Sequence, residues 1–408
     1  MRLFASRRPS SLHRTTLFQA REPAFWFFVA ILLATGAATV GQQSLFWRIS
    51  PAGWALSWGL LVLYALPVFL VVYFLDLYER EPPSLLVGAL LWGAIAATTL
   101  AGYANDGWGL VVARVGGPEF AARWTAALTA PFVEETLKGL GVVMIYLIAR
   151  SELDDVMDGF VYGAICGLGF AVVEDVFYFV GVFGGTTHEV LRGFFLRVVA
   201  SGIYSHVLYT GLVGMGVGFF VSRRERVPRR RRLMVAAALG GLAVFGHFLW
   251  NSPLLDLFPS PPWTGAEWVL VLLAAAAKGL PLLGFVSVAV ILARRREVRW
   301  LREALGGEVG AIGISPSELS ELEDPKRRRA ARREMRGRAG DRAAALLARL
   351  QREQVNLAMV RSKVALPSDP AVLAQREYCK SLRDALQAIP GAAPAESAPA
   401  PLPGEDPG

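Results

Sequence analysis

A chain of 408 residues that is 54% hydrophobic and only 19% charged has too little polar surface for a soluble protein of its size. Its mean hydropathy of +0.41 points to a polytopic membrane protein. The net charge of +8 is carried by clustered arginines, which suits basic loops at a membrane face, and no nucleic-acid partner is expected.

The basic stretch 1–23 precedes "AFWFFVAILLATGAATVG", which reads as an uncleaved first helix rather than a signal peptide, despite the small residues near Ala37. Runs of about 20 residues, enough to cross a bilayer, occupy 24–41, 53–75, 84–103, 128–149, 157–183, 194–221, 233–252 and 267–293. The eighth holds Lys278 and Pro281, a candidate kink. The expected fold is therefore all-α and polytopic, with about eight transmembrane helices over 24–293. A basic helical tail is expected over 294–388 and a disordered Pro/Ala-rich end over 389–408. Within the tail, Leu346, Leu347, Leu350 and Val355 form an apolar stripe. A solvated cytoplasmic tail explains it more simply than a lipid or partner contact. Cys166 in an apolar helix and Cys379 in the polar tail imply no disulfide framework.

Arginines set the orientation. Arg2, Arg7, Arg8, Arg14 and Arg21 precede the first span, "SRRERVPRRRR" joins the sixth and seventh, and "RRREVR" follows the eighth. The opposite loops hold only Arg48, Arg114, Arg123 and Arg192. The positive-inside rule puts both termini in the cytoplasm of a multi-pass protein of the inner or plasma membrane.

Four consecutive spans carry polar groups. The fourth has Glu134, Glu135 and Lys138; the fifth has Glu174, Asp175 and Tyr178; the sixth has His206; the seventh ends with His247 and Asn251. Each charge at a helix centre costs about 2.5–3.5 kcal/mol on insertion scales. Glu134 and Lys138, Glu174 and Tyr178, and His247 and Asn251 are each four residues apart and share a helix face. Counted at about 1.5 Å per residue from the expected outer ends, Glu134, Glu174, His206 and His247 all fall in the outer half of the membrane or near its middle. Gly159, Gly163, Gly167 and Ala171 repeat every four residues, a stripe on which another helix can close. Each polar group has a plain alternative: a structural ion pair for Glu134–Lys138, an interfacial position for Glu174 or Asp175, an interhelical hydrogen bond for His206, snorkelling for His247. Compatible depths on four neighbouring spans weaken those alternatives together. Such a cluster suits hydrolysis, with a glutamate as base toward water and histidines and an amide stabilising the oxyanion. It also suits a Zn²⁺ site. The H-E-x-x-H and G-x-S-x-G motifs are absent.

"EETLK" (134–138), "DDVMDGFVYGAICGLGFAVVEDVFYF" (154–179), "SHVLYTGLVG" (205–214) and "HFLWN" (247–251) resemble the PrsW family of intramembrane proteases, and "DLYEREPP" (76–83) is similar to its Asp-to-Glu-Pro stretch. More distantly, the set is similar to the CAAX prenyl protease and bacteriocin-processing family. The resemblance covers about residues 60–290. It implies an endopeptidase that cuts a membrane-anchored protein near the extracytoplasmic face, an anti-sigma factor being the family's substrate class. It also implies that Glu134 is the catalytic glutamate, Glu135 its supporting neighbour, and Lys138 the group that holds both. Glu174, His206 and His247 complete the site and Asn251 donates to the oxyanion. If a metal is used, Glu134, Glu174, His206 and His247 are its implied ligands and Zn²⁺ the candidate ion; a metal-free glutamate mechanism stays open. Asp175 stands where the family commonly has an amide, so like-charge repulsion calls for protonation or a neutralising cation. A proton-coupled transporter using the same Glu/His/Lys cluster is the alternative function, and a non-catalytic scaffold signalling through the tail is a third.

Overall fold

The computed structural model describes residues 15–75, 81–199, 206–224, 227–254, 265–309, 314–364 and 366–392. Asp76–Arg80, Ser205 and the end from 393 onward, on which expectations fell, lie outside them. Among the described residues there is no strand. The chain divides into two compact units, residues Arg14–Arg294 and a second from Arg295 onward.

Prolines open the first helices of the membrane unit: α1 (Pro23–Ile49), α2 (Pro51–Tyr73), α3 (Pro83–Leu91) and α5 (Pro118–Ile148). A fixed φ and a missing N–H cost nothing at that position. α3 continues through a π-helical segment, Trp92–Ala97, into α4 (Thr98–Gly116). α4 and α5 turn at Gly117, whose φ of 81° favours glycine. α6 (Val156–Val176) starts at a capping box in which Asp155 and Asp158 exchange bonds with the backbone, and runs into a π segment, Phe177–Val182. Then come α7 (Thr187–Phe194), a π segment Phe195–Val199, α8 (His206–Ser222), α9 (Arg229–Asn251) and α10 (Gly265–Gly306). Pro281 lies inside α10. Lys278 donates to the carbonyls of Trp250 and Ser252 at 3.4 and 3.0 Å, closing the end of α9.

Among the described residues, six helices are long and apolar enough to cross a membrane. The other two expected spans are α5, interrupted by Glu134, Glu135 and Lys138, and α8, which is shorter. Several boundaries differ from expectation: the first helix runs to Ile49 rather than 41 and the eighth to Gly306 rather than 293. The third span runs to Gly116, because Asn105-Asp106-Gly107 continues the helix instead of turning. The helix of the fourth starts at Pro118 rather than 128. The expected start of the sixth, 194, is the last residue of α7, since Thr186 caps that helix by accepting from the Glu189 N–H.

α6 is buried along almost its whole length and is the axis of the unit. One face meets α8 along the glycine stripe: a Cβ on Gly163 would lie 2.2 Å from the Thr210 carbonyl oxygen. The other face meets α3 and its π segment, where Phe28 stacks on Trp92 at 5.6 Å and the Trp92 indole donates to the Leu137 carbonyl at 2.9 Å. The close contact with α8 is what brings α6's carboxyl-terminal polar residues beside His206. Gly163→Val therefore forces two backbones apart. We expect a destabilisation of about 3 kcal/mol or more, read as loss of monodisperse protein in detergent and a lowered Tm. A variant as stable as wild type would show that the glycine contact is dispensable.

In the second unit, α11 (Pro316–Glu323), α12 (Pro325–Lys363) and α13 (Pro370–Gln387) form their own core. Leu347, Leu350 and Val355 of the apolar stripe are buried and Leu346 is partly so; Leu347 and Leu350 pack with Cys379 and Leu382 of α13. Burial pushes the Cys379 thiol up to about 12. Arg376 grips the buried Glu308 carboxylate with two bonds of 2.7 and 2.6 Å. The stripe thus builds a small helical unit rather than a solvated tail.

Candidate active site

α5 presents Glu134, Glu135 and Lys138, all nearly inaccessible at 3%, 2% and 0%. Glu135 is fully engaged. Its Oε1 accepts from Lys138 at 2.6 Å and from His247 Nδ1 at 3.0 Å, and its Oε2 accepts from the Thr210 hydroxyl at 3.0 Å. Glu134 is engaged on one side only. Its Oε1 accepts from the Asn105 amide at 3.1 Å, while its buried Oε2 has no hydrogen-bond partner. Around that oxygen stand Lys138 Nζ at 3.6 Å, His247 Nε2 at 3.8 Å and His206 Nδ1 at 3.9 Å.

The partners fix both imidazole tautomers. His247 donates through Nδ1–H to Glu135, which leaves the Nε2 lone pair toward Glu134. His206 lies with Nε2 3.0 Å from Glu174 Oε2 and Nδ1 2.9 Å from the Lys138 ammonium. A carboxylate can only accept and an ammonium can only donate, so Nε2 carries the proton and Nδ1 the lone pair. Tyr209 stacks on His247 at 5.0 Å and Phe170 flanks His206 at 5.0 Å, so aromatic walls hold both rings.

Arg197 was not anticipated. It lies in the π segment after α7 and donates to Glu174 at 2.7 Å and to Asp175 at 2.6 Å, with its guanidinium 3.6 Å over the Tyr178 ring. It is the cation that the Glu174–Asp175 pair requires. Asn105 was also missed, because the expected third span stopped at 103. The signal was present: "WGLVVARV" beyond it continues the helical apolar pattern. Arg197 lay inside an expected span, and an arginine in such a span is itself a pointer to a buried acid. The Asn251 amide donates at 3.3 Å to the Ala126 carbonyl of α5.

Comparison with known proteins bears on the same segment. The model of the family described as "PrsW family intramembrane metalloprotease" matches residues 81–278. These residues form a PrsW-family domain. Protease PrsW of Bacillus subtilis (strain 168) is 27% identical over 151 residues, covering 37% of this chain and 61% of that protein. Protease PrsW of Geobacillus kaustophilus (strain HTA426) is 26% identical over 188 residues, covering 46% of this chain and 68% of that protein. The chain thus spans less than two thirds of the Bacillus relative. No solved structure matches. All seven expected site residues, and both residues that sequence reasoning missed, lie within the PrsW-family domain.

The residues of this domain fit a divalent metal. Glu134, His206 and His247 each offer a ligand atom within 4.8 Å of the others. The unpartnered Glu134 Oε2 lies near His247 Nε2 and His206 Nδ1, the latter taken by Lys138, and Glu135 and Glu174 hold the far nitrogens as outer partners of ligating histidines do. Four carboxylates, Glu134, Glu135, Glu174 and Asp175, stand against two cations, Lys138 and Arg197. Glu174, an implied ligand, instead has its Oε2 taken by Arg197 and His206.

Proposed function

We propose that this chain is an intramembrane endopeptidase that hydrolyses a peptide bond of a membrane-anchored protein near the extracytoplasmic face. The observation that carries this reading is the buried Glu134 Oε2, without a hydrogen-bond partner and with His247 Nε2 at 3.8 Å and His206 Nδ1 at 3.9 Å. A carboxylate oxygen held this way, in a segment that matches the PrsW family, supports its reading as the base toward water.

Glu134 takes a proton from water as the oxygen adds to the scissile carbonyl. The carbonyl oxygen becomes an oxyanion, for which the Lys138 ammonium and the Asn251 amide are the candidate donors. The proton on Glu134 then passes to the departing nitrogen as the C–N bond breaks, and the carboxylate is restored. Glu135 and Glu174 keep the two imidazoles in fixed tautomers, and Thr210 and Asn105 hold the carboxylates in place. If a metal is bound, Glu134, His206 and His247 hold it; Zn²⁺ is the candidate, and it would supply Lewis-acid polarisation of a carbonyl or of water.

The clustered arginines support an inner or plasma membrane location with both termini cytoplasmic. That orientation makes 1–23 a basic lead, 24–293 the protease domain, 294–388 a cytoplasmic helical unit and 389–408 a Pro/Ala-rich end. The substrate class is a single-span anti-sigma factor whose cut starts regulated proteolysis.

The test compares new protein N-termini in membranes from cells expressing wild type or Glu134→Ala at matched levels. Fragments cut just outside a single span and present only with wild type are expected. Identical termini under conditions that require the protein would sink the protease reading and favour a proton-coupled carrier.

A further inference from the structure

Lys138 occupies an unusual position for a residue beside a metal-competent triad. Its ammonium lies 2.9 Å from His206 Nδ1, 2.6 Å from Glu135 Oε1 and 3.6 Å from Glu134 Oε2, with the Phe170 ring 4.2 Å away. The His206 Nδ1 lone pair is the one the Glu134–His206–His247 group would offer to a metal, because Nε2 carries the proton given to Glu174. One lone pair cannot serve both cations. The ammonium also sits close enough to Glu134 Oε2 to supply much of the positive charge that an ion would bring.

We propose that Lys138 and a divalent metal are alternative occupants of one cation position, so that this lysine is a built-in competitor holding the centre ready in a metal-free form. The inference rests on the reading of Glu134, His206 and His247 as the reacting centre. In the lysine-held form Lys138 supplies the positive charge beside the reacting atoms. In the metal-held form its side chain must leave His206 Nδ1, and the lysine then opposes binding by charge repulsion.

The experiment measures metal affinity in detergent-purified, chelator-stripped protein, with Co²⁺ followed by visible absorption and Zn²⁺ by calorimetry. Lys138→Met keeps the length and bulk of the side chain and removes the charge. It should bind either ion at least ten-fold more tightly than wild type, with a metal-dependent rise in Tm larger than wild type shows. Adding His206→Ala to Lys138→Met should remove that gain. Lys138→Gln, which keeps a donor toward Glu135, is measured beside it in case the methionine variant misfolds. Equal or weaker binding by the charge-neutral variants would overturn the proposal, and so would the absence of binding by any of them. Cleavage lost with Glu134→Ala alongside equal affinities would leave the protease reading standing and remove only the competition.

Discussion

Glu134→Gln leaves a folded protein that no longer cuts. The substitution keeps the side chain's shape and an oxygen that can accept from Asn105, whose bond to Glu134 is 3.1 Å. What it removes is the basic oxygen facing His206 and His247. A positioned general base contributes about 10²–10⁴-fold, and the cleavage rate should fall by at least that much. Stability should stay level or rise. One fewer negative charge in a cluster where carboxylates outnumber cations leaves no cation unpaired, because Lys138 retains Glu135 at 2.6 Å. Rate and Tm are measured together on protein reconstituted in liposomes, with the substrate found by the comparison of N-termini. Retention of more than a tenth of the rate would remove Glu134 from its role. Glu135→Gln provides the contrast. Both Glu135 oxygens are bonded, to Lys138, His247 and Thr210, so that change should lower Tm as well as rate.

Arg197→Ala should damage the protein more broadly. Arg197 is the donor that Glu174 and Asp175 share, and the two carboxylates are adjacent and largely shielded, with side-chain exposures of 15% and 7%. Removing one partner of a buried pair typically costs about 3–5 kcal/mol because the remaining charge is left uncompensated. Glu174 would also lose the bond that aims its Oε2 at His206, so the imidazole is freed to turn. We expect a Tm lowered by several degrees and a loss of cleavage in the protein that remains folded. Arg197→Lys should restore Tm in part, since a lysine supplies the charge but cannot reach both carboxylates as a fork. A melting curve for Arg197→Ala that superimposes on wild type would show that the guanidinium is not needed for the pair.

The membrane class, the order of the helices and the cluster of polar residues on four consecutive spans were legible in the sequence. Burying charge among apolar helices is costly, so every such residue stands out against its surroundings. The glycine stripe of α6 was legible for a related reason: only small residues at every fourth position let a second helix approach, and α8 occupies that face. Helix ends were less legible, because Asn105-Asp106-Gly107 has the composition of a turn yet lies within α4.

The tertiary structure alone decided how work is divided among chemically similar groups. Glu134 and Glu135 are neighbours in sequence, yet one keeps an oxygen without a partner while the other is saturated by three helices. Arg197, from the segment after α7, is set across the acids of α6. In the tail, a stripe that looks the same for a lipid contact or a solvated helix is covered by α13. Helical periodicity records which residues share a face. Which group answers each of them depends on how separate helices pack, and that is a long-range property no local spacing contains.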